Sequence, residues 1–153
     1  MTHHHGCDLR KGRVSIPGQI YLVTTVSYQR QPIFKNFINA RFLIHSLKHA
    51  EQSNQIISLS YVVMPDHLHW LFSLNDYCSL QQVISNVKRR SAYRINHNNN
   101  RTGSAIWQAG FHDYALRKED EIKDVARYIV ANPLRAGLVN TIGDYPFWDA
   151  IWL

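Results

Sequence analysis

Along the chain, the apolar positions alternate between two rhythms. Ile20 to Tyr28 (IYLVTTVSY) is rich in β-branched and aromatic residues and predicts a strand. From Asn36 to Ser53, Phe37, Ala40, Leu43, Ile44 and Leu47 recur near helical spacing, which predicts a helix. Ile56 to Met64 and His67 to Leu74 read as two more strands, parted by the turn-forming pair Pro65-Asp66. Ser79, with Gln82 three residues on, suits the N-cap of a helix from Leu80 to about Asn96. The polar run from His97 to Ser104 predicts a mobile surface loop. Phe111 to Leu116 follows as a fourth strand and Lys118 to Ala131 as a further helix. The first turn of that helix carries Glu119, Asp120 and Glu121, favourable at the positive end of the helix dipole.

The order is therefore β-α-β-β-α-β with one added C-terminal helix. It predicts an α+β fold of the ferredoxin-like or RRM-like kind, a split βαβ with an antiparallel sheet and helices on one face. Unrelated functions share this architecture, so the fold names none of them. The 153 residues are expected to form a single domain, with residues 1–18 as a flexible basic arm.

Composition narrows the partner. Lys and Arg number 17 against 11 Asp and Glu, a net charge of +6, which favours an anionic partner and nucleic acid first. No run approaches the roughly 18 apolar residues of a membrane span. No apolar segment follows the basic N-terminus, so a secretory signal is not expected and a cytoplasmic, nucleoid-associated protein is. Cys7 and Cys78 form neither a metal-binding CxxC nor a disulfide framework.

Two segments carry the candidate chemistry. In Met64-Pro65-Asp66-His67-Leu68-His69-Trp70, strand alternation points His67 and His69 to one face and Leu68 to the other. Two imidazoles side by side can grip a divalent ion, but two hydrogen-bonded strand histidines would show the same pattern. In the second segment, Tyr128 and Asn132 lie four residues apart and share a helix face. A phenol and an amide so placed could act as nucleophile and metal ligand. Alternatively, Asn132-Pro133 is an N-cap with proline at the next position, and Tyr128 fills the core. Physical reasoning alone does not choose Tyr128 over the other seven tyrosines.

MPDHLHW, WQAGFHDYALR and ARYIVANPLRAGLV, in that order, resemble the IS200-like single-tyrosine HUH transposases, specifically their REP-associated branch. The resemblance runs from about Tyr21 to Trp148. It implies His67 and His69 as paired metal ligands, Asn132 as the third ligand and Tyr128 as the catalytic nucleophile. It implies Mg²⁺ or Mn²⁺ as cofactor and single-stranded hairpins of REP-like palindromes as substrate. The expected reaction is cleavage and rejoining through a 5′-phosphotyrosine, by a monomer or an active-site-sharing homodimer. A phenol is mostly neutral at pH 7, so the metal or a base must activate it.

Expected DNA contacts are Lys88, Arg89, Arg90 and Arg94 on the second helix, the arm residues Arg10, Lys11 and Arg13, and Arg117 and Arg135 near the site. His45 and His49 have i, i+4 spacing but no third ligand in view and are expected to be solvated or structural. Two competing readings are a non-catalytic hairpin DNA or RNA binder on an RRM-like sheet and a phosphodiesterase acting through activated water.

Overall fold

The computed structural model describes residues 18–152, with the backbone of residues 9–10 and 13–14. Strands β1 (Leu9–Arg10) and β2 (Arg13–Val14) pair antiparallel within the stretch expected to be an arm. The main elements are β3 (Ile20–Val26), α1 (Phe37–Gln52), β4 (Ile56–Met64), β5 (His67–Leu74), α2 (Leu80–Asn98), β6 (His112–Leu116), α3 (Glu119–Val130), α4 (Asn132–Arg135) and β7 (Trp148–Ala150). They build a five-stranded antiparallel sheet in the order β6-β3-β5-β4-β7. Its first four strands follow the split βαβ plan: β5 lies between β3 and β4, and β3 between β5 and β6. This is the α+β class that the patterning predicts.

The caps show why the helices start where they do. Asn36 accepts a hydrogen bond from the Asn39 amide at 3.0 Å, and Ser79 accepts one from the Gln82 amide at 3.1 Å. Each satisfies an amide that the first turn leaves without a partner. At α3 no side chain caps the start, and the three acids of its first turn act on the dipole instead.

The two faces of the sheet bury different layers. Leu68, Trp70, Phe72 and Leu74 of β5 pack with Ala40, Leu43, Leu47, Val83, Ile84 and Val87 of α1 and α2. Trp70 is fully buried and donates to Ser58 Oγ at 3.0 Å, so the indole is both packed and satisfied. Burying each large apolar side chain contributes about 1.5–3 kcal/mol, which locks the alternation of β5. On the other face, Leu59, Val62, Met64, Leu71 and Leu116 pack with Ile122, Ala126 and Ile129 of α3. The added helix thus covers the face opposite α1 and α2, the face toward which β5 turns His67 and His69. No periodicity could reveal that placement.

Strand β7 is not legible in the sequence. Its three residues show no alternation, and it exists because the edge of β4 offers hydrogen-bonding groups to pair with. Likewise the first strand ends at Val26 rather than Tyr28. Ser27 bridges to Trp107, and the chain turns at Gln29 and Arg30, both with positive φ. No helix among the described residues is long and apolar enough to cross a membrane.

Candidate active site

The histidine pair sits at the start of β5, held by β3 and β4. His69 pairs with Thr24 and Val62, and His67 with Val26 and Met64. Both rings are half-buried, with centroids 4.7 Å apart and planes nearly perpendicular. Each ring's Nδ1 is already engaged. His67 Nδ1 lies 2.7 Å from Asp66 Oδ1, and His69 Nδ1 lies 2.8 Å from Thr24 Oγ1. With Nδ1–H donated to these oxygens, both Nε2 lone pairs are left available, the arrangement expected of metal-ligating histidines.

Behind His67 stands a further layer. Arg30 Nη1 donates to Asp66 Oδ2 at 3.1 Å. Burial would raise the Asp66 pKa, but hydrogen bonds and charge from His67 and Arg30 outweigh it and hold the carboxyl below its ordinary value. The Pro65-Asp66 turn is tied down by the Ser27 amide on Asp66 O at 2.9 Å and the Phe34 amide on Pro65 O at 2.9 Å. Left-handed backbone at Gln29 (φ 54°) and Arg30 (φ 52°) turns the chain where Arg30 meets Asp66. Sequence reasoning noted Asp66 only as a neighbour and missed Thr24 and Arg30. A polar Thr in the half-buried row of a strand was the one available signal for Thr24.

His69 is held neutral. Burial first, then the nearby charges of His67 and Arg135, lower its pKa to about 4. An unfolded histidine takes up its proton near about 6.5. Between those values the unfolded chain binds more protons than the folded one, so stability falls as pH drops. Without added divalent ion, the protein is expected to lose up to roughly 3 kcal/mol between pH 6.5 and 4, less as solvent screens the half-exposed ring. Urea melts across that range check this, and His69→Gln should flatten the acid limb.

Tyr128 lies near the C-terminal end of α3 and is 59% exposed, so it is not a core residue. The Arg135 guanidinium stacks over its ring at 3.7 Å and donates to the Tyr128 carbonyl at 2.7 Å. Asn132 is half-buried and opens α4 as its first residue. The cap position belongs to Ala131, and no side chain caps the helix, so the N-cap reading of Asn132 is not realised. Among the described residues no cluster of three His, Cys, Asp or Glu could hold a metal. Two imidazoles with an amide oxygen, the donor set that the resemblance implies, have the chemistry to suit a divalent ion.

The basic residues are spread over several places. Lys88 gives its ammonium to the carbonyls of Gln108 (2.9 Å) and Gly110, tying α2 to the loop before β6. Arg89, Arg90, Tyr93 and Arg94 line a groove of about 530 Å³ on α2, the layer opposite the histidines. Arg94 lies 5.2 Å over the Phe42 ring, and Tyr93 stacks on His97. Arg117 is exposed just beyond β6. Lys11 and the side chains of Arg10 and Arg13 lie outside the described residues. His45 is exposed; burial and the charges of Arg41, Arg94 and Lys48 lower its pKa.

The ferredoxin-like sheet thus carries two adjacent histidines on the face against which α3, with its exposed tyrosine, packs. The family described as "Transposase IS200 like" matches residues 16–132, and the chain belongs to it. A REP-associated tyrosine transposase of Escherichia coli (strain K12) is 25% identical over 111 residues, covering 70% of this chain and 62% of that protein. A relative from Haemophilus influenzae is 27% identical over 100 residues, covering 59% of this chain and 56% of its own length. The chain thus spans about three fifths of these curated relatives. The solved structure of a REP-associated tyrosine transposase bound to a REP hairpin superposes with a TM-score of 0.74 at 21% identity, over 92% of this chain and 81% of that one. A Deinococcus radiodurans structure gives 0.56 at 19% identity, over 79% and 95%. At these identities the structural likeness speaks for the fold alone.

Proposed function

We propose that this protein cuts and rejoins single-stranded DNA at the foot of hairpins of the REP-like palindromic kind, with Tyr128 as nucleophile. The observation carrying this reading is that His67 and His69, their Nδ1 atoms already engaged, face the side of the sheet on which α3 packs, and that α3 carries the exposed Tyr128. A divalent ion, Mg²⁺ or Mn²⁺, held by His67, His69 and Asn132, would polarise the scissile phosphate and offset charge on its oxygens.

The chain's own residues account for the rest. Tyr128 Oη gives up its proton and attacks phosphorus; the bond from phosphorus to the 3′ oxygen breaks, and that oxygen takes up a proton in turn and leaves as a hydroxyl, so no net proton is gained or lost. The product is a 5′-phosphotyrosine, and a 3′-hydroxyl attacking it reverses the step and releases the phenol. Arg135, over the phenol ring, supplies positive charge beside the incoming phosphate. The α2 groove with Arg89, Arg90 and Arg94 would hold phosphates of the hairpin, its aromatic Tyr93 suiting a base or sugar. Lys88 anchors the loop before β6 to α2.

Incubating the protein with a labelled hairpin carrying a single-stranded foot is expected to yield a denaturation-resistant protein–DNA adduct with Mg²⁺ or Mn²⁺ and none after chelation. Cleavage that leaves no such linkage would point instead to activated water. Salt-sensitive binding with no cleavage under any metal would leave a hairpin-binding module.

A further inference from the structure

Helix α3 covers only part of its face of the sheet. Its apolar contacts reach Leu116, Leu71, Leu59, Val62 and Met64, with Ile20 and Leu22 half-buried beneath it. The other end of β6 stays open. Strand register settles what stands there: His112 pairs with Thr24, which pairs with His69, and Tyr114 pairs with Leu22, which pairs with Leu71. Paired residues share a face, so His112 and Tyr114 point to the same side as the two histidines of β5. Both are exposed, Tyr114 at 58%. With strands about 4.8 Å apart and about 3.4 Å per residue, Tyr114 sits roughly 12 Å from His69 across the sheet. A small concavity lined by Thr24, Val26, Gly110 and His112, among others, lies beside His112 on the side away from Tyr114.

We infer that this open half of the sheet is a subsite for an unpaired nucleobase next to the scissile phosphate, with the Tyr114 ring as its stacking surface. The inference rests on the single-strand-cutting reading and adds to it a place for the strand. His112 and Tyr114 are exposed there, Thr24 is half-buried next to His112, and the exposed Arg117 follows just beyond the strand. An exposed aromatic ring on a chain of net charge +6 suits a base with its phosphates. Lys88 also holds the 108–110 loop, whose Gly110 lines the concavity beside His112. Single-stranded substrate is required because a base stacked inside a duplex has no free face for the ring.

The test uses the full chain, without divalent ion so that the DNA stays intact, and hairpins with 2-aminopurine at each position of a single-stranded foot. One position is expected to be quenched by the wild type and by Tyr114→Phe, and released in Tyr114→Ala. Affinity of Tyr114→Ala for the footed hairpin should fall about five- to a hundred-fold, with a blunt hairpin unchanged. Unaltered thermal unfolding shows that the variant folds. Undiminished quenching and affinity in Tyr114→Ala would overturn the subsite, even if the wild type forms its adduct with metal. Tyr114-dependent quenching in a protein that never forms an adduct would instead uphold the subsite and overturn the cleavage chemistry.

Discussion

Tyr128→Phe is expected to abolish the covalent protein–DNA adduct, by more than about a thousandfold in rate, while hairpin affinity stays within about twofold. The substitution removes one oxygen and keeps the ring on which Arg135 stacks, so the local structure should persist. The side chain is exposed, and little folding stability rests on its hydroxyl. The other seven tyrosines serve as controls. Tyr145 donates to the Val63 carbonyl at 2.5 Å, and burial pushes its pKa up to about 12, so it is structurally committed. Adduct formation by Tyr128→Phe, with the linkage mapped to another residue, would remove Tyr128 from the mechanism.

The second large effect concerns the histidine pair. His69→Ala and His67→Ala should each reduce Mn²⁺ affinity below detection in calorimetry and cleavage by more than about a thousandfold. Asp66→Asn leaves both imidazoles in place but weakens the acceptor that orients His67 Nδ1. Its expected effect is smaller, about 10- to 100-fold in Mn²⁺ affinity, as for other partners that orient a metal ligand. Hairpin binding should survive in all three, because the α2 groove lies on the far side of the sheet. Wild-type Mn²⁺ affinity in the double variant His67→Ala/His69→Ala would exclude this pair as the metal site.

The graded expectation follows from geometry. Removing an imidazole deletes a donor, whereas removing a carboxylate charge loosens the ring's orientation and lets the competing tautomer appear. Arg30 acts one step further out, through a partly exposed ion pair with Asp66, and its loss should matter less.

Much of the architecture is legible along the chain because local interactions specify it. The β-branched run of β3, the spacing of Phe37, Ala40, Leu43 and Leu47, and the caps at Asn36 and Ser79 all depend on neighbours within a few residues. Alternation likewise places His67 and His69 on one face and Leu68 and Trp70 on the other, and the burial of the latter pair agrees. The motifs MPDHLHW and ARYIVANPLRAGLV carry the family as strings.

The tertiary structure alone decided which face α3 covers, since a chain leaving β6 can pack on either side and only the match of Ile122, Ala126 and Ile129 to Leu71 and Leu116 selects one. It also decided that Tyr128 is exposed, that Asn132 is no cap, and that Thr24, Asp66 and Arg30 stand behind the imidazoles. Thr24 and His69 are 45 positions apart, and Arg30 and Asp66 are 36. Contacts closed over such loops depend on how strands register and layers stack, and no local periodicity records that.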